Sequence, residues 1–184
     1  FAETFSRCTA FQAIPSRLFD NCTEVTNFTD TFYGCSALTS IPEGLFDNNT
    51  KVTKFIGTFH ECKNITVIPE GLFDNCTEVT NFGGTFAGTD ITSIPEGLFK
   101  YNTKVTDFSS YTGFYVTGCF SECKLLLKIP EGLFDKCTEV TSFAETFSML
   151  SDANAVLNNI PEGLFDNNTK VTSFRSLFRC LVLK

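Results

Sequence analysis

The residues able to do chemistry are nine cysteines, one histidine and two periodic series of carboxylates. The closest cysteine pair, Cys119-x-x-x-Cys123, lacks a second pair of matching spacing. With a single histidine in the chain, the set does not make a zinc site. That histidine, His60, stands where related segments carry Tyr33, Ala87 and Ser121. A position this variable suits a surface residue and not a catalytic base. The carboxylates Glu43, Glu70, Glu96, Glu131 and Glu162, and Asp20, Asp47, Asp74, Asp135 and Asp166, recur as two columns. Stacked oxygens can attract calcium, but the Gly-Gly-x-Gly-x-Asp repeat of calcium-binding rolls is absent. No glycine-rich phosphate loop, nucleophile elbow or paired-histidine motif occurs. The sequence therefore predicts no enzyme, no cofactor and no metal, and attention moves to what could position a binding surface.

Six copies of one phrase organise the chain: Ile14-Pro15, Ile41-Pro42, Ile68-Pro69, Ile94-Pro95, Ile129-Pro130 and Ile160-Pro161. They contain every proline, and successive isoleucines are 27, 27, 26, 35 and 31 residues apart. Self-similarity at such a period is the signature of a solenoid, in which each repeat buries its core against its neighbours. The fold expected is a right-handed solenoid of short parallel strands and short helical or 3₁₀ turns, about 27 residues per coil. Residues 1–184 read as one domain. Because Phe1-Ala2-Glu3-Thr4-Phe5-Ser6 reproduces Phe143-Ala144-Glu145-Thr146-Phe147-Ser148, and neither end carries a polar cap, the expectation is a piece of a longer array.

Each repeat has two similar halves, Phe32-x-x-Cys35-x-x-Leu38-x-x-Ile41 and Phe46-x-x-Asn49-x-x-Val52-x-x-Phe55. One half is too short to circle a core, so a full coil takes both. Leu38–Ile41 and Val52–Phe55, rich in Thr and β-branched residues, are the strand candidates. Pro-Glu-Gly-Leu-Phe-Asp suits a short helix or 3₁₀ turn, with proline at its first position. Thr58-Phe59-His60-Glu61 suits a second short turn. Stacking aligns Phe19, Phe46, Phe73, Phe99, Phe134 and Phe165, and likewise Phe28, Phe55, Phe82, Phe108, Phe143 and Phe174, as core columns. Val25, Val52, Val79, Val105, Val140 and Val171 make a third.

The second halves alternate. Cys22 with Glu24, Cys76 with Glu78 and Cys137 with Glu139 interleave with Asn49 and Lys51, Asn102 and Lys104, and Asn168 and Lys170. Alternating charge turns repulsion between stacked neighbours into attraction, although duplication of a two-coil unit gives the same pattern. The Cys/Asn exchange predicts a buried side chain that bonds backbone groups, so the thiols are expected to be free; stacked disulfides are the rival reading.

Composition bounds the function classes. The chain is 42% hydrophobic and 19% charged, within the globular range. A net charge of −7 argues against nucleic acid, and no apolar run is long enough to insert in a bilayer. Asn-x-Thr sequons at Asn21, Asn27, Asn48, Asn64, Asn75 and Asn167 are glycosylation acceptors only in a eukaryotic secretory setting.

The order F-x-x-C-x-x-L-x-x-I-P over nearly the whole chain resembles the BspA-like leucine-rich repeats of bacterial surface proteins. The present unit is longer, carrying the extra Leu-Phe-Asp-Asn half. The resemblance implies an extracellular or cell-surface module used in adhesion, with a protein or glycan on another cell or matrix as partner.

Where the period breaks, function is expected. About eight extra residues fall within Ser109–Cys119, including Tyr111, Phe114 and Tyr115. About four fall within Ser148–Val156, including Met149, Asp152 and Asn154. Both insertions lie beside the same phenylalanine column on adjacent coils, so they should bulge side by side as a binding edge. Surface loops also tolerate added length at little cost, with no binding role. The alternative function is a structural repeat module of a larger assembly such as a fibre, coat or viral decoration, with neighbouring subunits as partners.

Overall fold

The computed structural model describes residues 1–111, 116–150, 157 and 159–179. The chain winds as a stack of coils held by single-residue parallel bridges. Asn27 bridges Lys54, Lys54 bridges Asn81, Asn81 bridges Asp107, Asp107 bridges Ser142, and Ser142 bridges Ser173. Their separations repeat the spacing of the Ile-Pro steps. A second bridge, Ser93 to Lys128, sets Ile94-Pro95 beside Ile129-Pro130. The bond from Thr39 N–H to the Gln12 carbonyl does the same for Ile41 and Ile14.

Two expectations are corrected. The strand candidates do hold the bridging residues, yet among the described residues no parallel strand extends beyond one residue. Lys54 lies just before a turn closed by Thr58 N–H on the Phe55 carbonyl, so the chain bends away after a single step. The Pro-Glu-Gly-Leu-Phe-Asp block is a run of turns, and among the described residues there is neither an α-helix nor a 3₁₀-helix. Its glycine is the cause. Gly44 adopts φ 64°, and a Cβ there would stand 2.7 Å from Asp47 Oδ2. A left-handed residue stops right-handed winding.

The segments starting at Phe1, Phe28, Phe55, Phe82 and Phe143 form the main ladder between coils. Alternate N–H groups point at the next coil: Asp30 to Ile56, Phe32 to Thr58 and Gly34 to His60. The intervening N–H groups close turns within the coil, as Thr31 does on Phe28 and Tyr33 on Asp30. Nearly every backbone donor is thus used, at the cost of positive φ at Asp30, Glu61, Glu122 and Glu145, among others.

Phenylalanine fills the interior. Phe28 stacks on Phe55 at 5.6 Å and Phe55 on Phe82 at 5.8 Å, with planes within 6°. A neighbouring column, Phe19 to Phe46 to Phe73, meets it in tilted contacts such as Phe46–Phe55 at 4.7 Å. A third column runs through Phe5, Phe32, Phe59, Phe86, Phe120, Phe147 and Phe178. Tilted and offset rings place positive edges on negative faces. In the central coils these rings are fully buried, whereas Phe5, Phe165, Val171 and Phe178 of the end coils are half-buried.

The turn positions behave as the Cys/Asn exchange predicts. Asn49 Nδ2 donates to the carbonyls of Phe19 at 3.3 Å and Cys22 at 3.0 Å in the preceding coil. Cys76 Sγ faces the carbonyls of Phe46 and Asn49, both at 3.7 Å. The eight described cysteines are free; Cys8 is exposed and Cys22 half-exposed. On the surface, Lys51 Nζ lies 2.6 Å from Glu24, Lys104 from Glu78 and Lys170 from Glu139. The charge ladder is therefore three separate pairs, with no ion pair between Lys51 and Glu78.

Candidate functional site

The first insertion forms an antiparallel hairpin, the one pair of strands longer than a bridge among the described residues. Strand β1 is Ser109–Tyr111 and β2 is Val116–Gly118, in the register Ser109–Gly118, Ser110–Thr117, Tyr111–Val116. Two glycines admit its roots. A Cβ at Gly83 would stand 2.2 Å from the backbone carbon of Ser109, and one at Gly118 2.2 Å from that of Glu145. Asp107 fixes the departure by accepting from Ser109 N–H at 2.7 Å and Ser109 Oγ at 2.6 Å. Burial pushes the Asp107 carboxyl up, and those two bonds oppose the rise.

Thr117 packs its methyl over Gly84, so the hairpin leans back across the preceding coil. It overhangs an open cavity of about 910 Å³ on the ladder face. Tyr111 and Val116 line it on the hairpin side, and Met149 and Arg179 on the side of the last coils. Tyr33 and His60 line the same cavity, their ring centroids 5.0 Å apart. Arg7 Cζ lies over the Tyr33 ring, 5.4 Å from its centroid.

His60, expected at the surface, is a half-buried part of this wall. Burial lowers its pKa, and the carboxylates of Glu61 and Glu122 work against that fall. On the same wall, burial and then the charge of Glu3 raise the Asp30 carboxyl. The wall is thus partly dehydrated but carries ionisable groups of both signs, with Arg175 and Arg179 at one end and Asp30 and Glu61 nearer the other.

Of the six residues expected to bind, Tyr111 and Met149 meet at this one cavity although they come from different insertions. Tyr111 is 72% exposed and Met149 38%. Phe114, Tyr115, Asp152 and Asn154 lie outside the described residues. Tyr33 and His60 were missed as lining residues; the signal for them was the column of unlike residues Tyr33, His60, Ala87 and Ser121 on an otherwise uniform scaffold. No group of three or more His, Cys, Asp or Glu side chains among the described residues could hold a metal ion. Cavity, aromatic rim and mixed charge suit non-covalent recognition.

A sequence profile of the BspA type leucine-rich repeat region matches residues 12–133 in six copies. The match covers more than half of the chain, which therefore belongs to the BspA-type leucine-rich repeat family. Among solved structures, the chain is similar to the leucine-rich repeat domain of APL1, with a TM-score of 0.52 and 20% identity over 72% of this chain and 30% of that one. It is similar also to the leucine-rich repeat domain of APL1B, with a TM-score of 0.50 and 13% identity over 72% of this chain and 32% of that one. At such identities the likeness is one of fold, a leucine-rich repeat solenoid. The chain spans about a third of the length of these domains. No curated protein sequence matches it. A leucine-rich repeat domain of this kind is consistent with a protein-binding repeat module.

Proposed function

We propose that this chain is a non-enzymatic, extracellular recognition module that binds a protein or glycan partner at a cell surface. The right-handed hand of the coil belongs to the same reading. The observation that carries it is the convergence of two insertions on one cavity: Tyr111 and Met149 line a single groove with Tyr33 and His60. Tyrosine offers large contact area with a polar tip, which suits recognition. Phe114, Tyr115, Asp152 and Asn154 complete the proposed surface. The family is one of surface-associated repeats, which supports the setting.

The test is to shorten Ser109–Gly118 to two residues with glycine second, as at Gly57 and Gly84, where φ is positive in the regular coils. The labelled chain and the shortened one are compared on a glycan array and on intact cells by flow cytometry, with circular dichroism confirming the fold. Retained folding with binding reduced at least tenfold supports the reading. Binding unchanged after a clean deletion moves the site away from the hairpin and overturns it.

A further inference from the structure

The groove carries its charge in an order that favours one kind of partner. Asp30, Glu61, Glu122 and Glu145 line it, with Arg175 and Arg179 at one end. Each of the four carboxylates sits at positive φ, in register with positions that other coils fill with Gly34, Gly57, Gly84 and Gly88. Glycine meets that backbone requirement without strain, so the scaffold itself does not require these acids. On the outer surface the chain neutralises stacked carboxylates with lysine, Glu24 with Lys51 and Glu78 with Lys104. In the groove, among the described residues, no ion pair joins Asp30, Glu122 or Glu145. Glu61 and Glu122 also frame a gap. Glu61 N–H bonds the Ala87 carbonyl and Gly88 N–H bonds that of Ser121, so Glu122 stands two coils beyond Glu61. At roughly 4.8 Å per coil the two positions are about 10 Å apart. Between them Gly88 adds no side chain, and Glu61 leans into the space: a Cβ at Gly88 would stand 2.9 Å from Glu61 Oε1. Burial lowers the pKa of His60 against the charges of Glu61 and Glu122, so at neutral pH it is an uncharged ring beside the gap and no rival cation. Lys63 Nζ reaches Glu61 at 2.9 Å, but its side chain is 65% exposed and such a pair holds weakly.

We infer that the groove takes an extended, arginine-bearing segment of a protein partner, with one guanidinium seated over Gly88 between Glu61 and Glu122. The inference rests on the groove reading above and names the partner. Guanidinium suits this seat better than ammonium. It is flat and weakly hydrated, bonds carboxylates in pairs and packs on aromatic rings. The chain makes the same kind of contact itself, with Arg7 Cζ over the Tyr33 ring. A sugar fits less well, because Tyr33 is flanked by Arg7 and His60 of the coils on either side, which leaves little of its face for a sugar ring. Asp30 and Glu145 line the groove in coils on either side of the gap, so a second basic residue of an extended segment meets a carboxylate in either direction. The net charge of −7 steers a cationic partner toward the chain.

Fluorescence anisotropy with the full chain tests this, using labelled Gly/Ser peptides that differ only in carrying two arginines, two lysines or two glutamates three residues apart. The arginine peptide should bind, more tightly than the lysine peptide, and the glutamate peptide should not. Glu122→Gln should weaken the arginine peptide at least fivefold, and Lys63→Ala, which frees Glu61, should tighten it. Glu43→Gln combined with Glu96→Gln removes two exposed charges that do not line the groove and should leave binding unchanged. Circular dichroism checks folding, and Asp30→Asn repeats the groove experiment if Glu122→Gln unfolds, since asparagine accepts left-handed backbone. Three results overturn the inference: no saturable binding of the arginine peptide at millimolar concentration, equal binding of the glutamate peptide, or an equal loss in the variant remote from the groove. A neutral glycan that binds where the arginine peptide does not makes the partner a sugar and overturns it as well. Cell binding that is lost on shortening Ser109–Gly118, while the arginine peptide fails to bind the intact chain, sinks this inference alone; cell binding retained by the shortened chain sinks the groove reading beneath it.

Discussion

Replacing Asn102 by Ala tests what holds one coil to the next. Asn102 is fully buried, and its Nδ2 donates to the carbonyls of Phe73 at 3.2 Å and Cys76 at 2.9 Å. Alanine removes both bonds, while the Phe73 and Cys76 carbonyls keep the Cys76 and Val79 N–H groups as donors. Each lost bond is worth about 1 kcal/mol net, and the small cavity left behind adds about 1 kcal/mol. Against this, Asn102 Oδ1 is itself buried without a partner, and alanine removes that burden of about 1 kcal/mol. The balance is a loss of about 2 kcal/mol. Cysteine at the same position restores a donor of the kind present at Cys76, though a weaker one at 3.7 Å, so Asn102→Cys should cost only about 1 kcal/mol. Urea unfolding followed by far-UV circular dichroism measures both. An alanine variant within about 0.5 kcal/mol of wild type, or a cysteine variant no better than alanine, refutes the role assigned to this position.

Lys51→Glu should lower stability by about 0.5–1 kcal/mol in low salt, since it replaces an exposed 2.6 Å pair with Glu24 by repulsion, and by less in molar salt. An equal loss at both salt concentrations in the same urea assay would show that packing, not charge, is responsible. Thiol labelling of the native protein should modify Cys8 and Cys22 and spare Cys76, Cys123 and Cys137, whose burial pushes them up to about 12. Raising the pH to about 9 should leave that pattern unchanged, because thiolate forms only near the raised pKa; peptide mapping by mass spectrometry reads it, and labelling of Cys137 before unfolding would contradict its burial.

The coil spacing, the phenylalanine columns and the Cys/Asn site were legible because each depends on a residue type recurring at fixed spacing. Cys76 and Asn49 share only a small donor on a short stem, which is what a buried turn with two spare carbonyls requires. The ladder along Phe28–Gly34 was not legible. It needs left-handed backbone at Asp30 and Glu61, and acidic residues do not announce that conformation as glycine does at Gly34 and Gly57. The hairpin was read as a bulge because its sequence, Ser109-Ser110-Tyr111 against Val116-Thr117-Gly118, is too short to show alternation. Its placement over the groove follows from Gly83 and Gly84, which belong to a different coil and gain meaning only once the coils are stacked.

The two alternations describe one thing. Asn49 reaches back to the coil of Cys22, and Lys51 reaches back to Glu24 in that same coil. Asn102 and Lys104 bind the coil of Cys76 and Glu78 in the same way, as do Asn168 and Lys170 the coil of Cys137 and Glu139. Between these units the corresponding links are weaker: thiol contacts of 3.7–3.9 Å and, among the described residues, no lysine–glutamate pair. The solenoid is therefore a stack of two-coil units, with tight bonds inside each and looser seams between. In a quasi-one-dimensional array the seams set where opening begins. The hairpin leaves the chain between Asn102 and Cys137, at one such seam. The second insertion, within Ser148–Val156, falls between Cys137 and Asn168, inside a unit, yet the Asn168 bonds to Phe134 and Cys137 and the Lys170–Glu139 pair stay short. Added length beside the Phe-turn column therefore leaves the asparagine and lysine links of the other half untouched, and Tyr111 and Met149 reach the groove from a seam and from a unit alike.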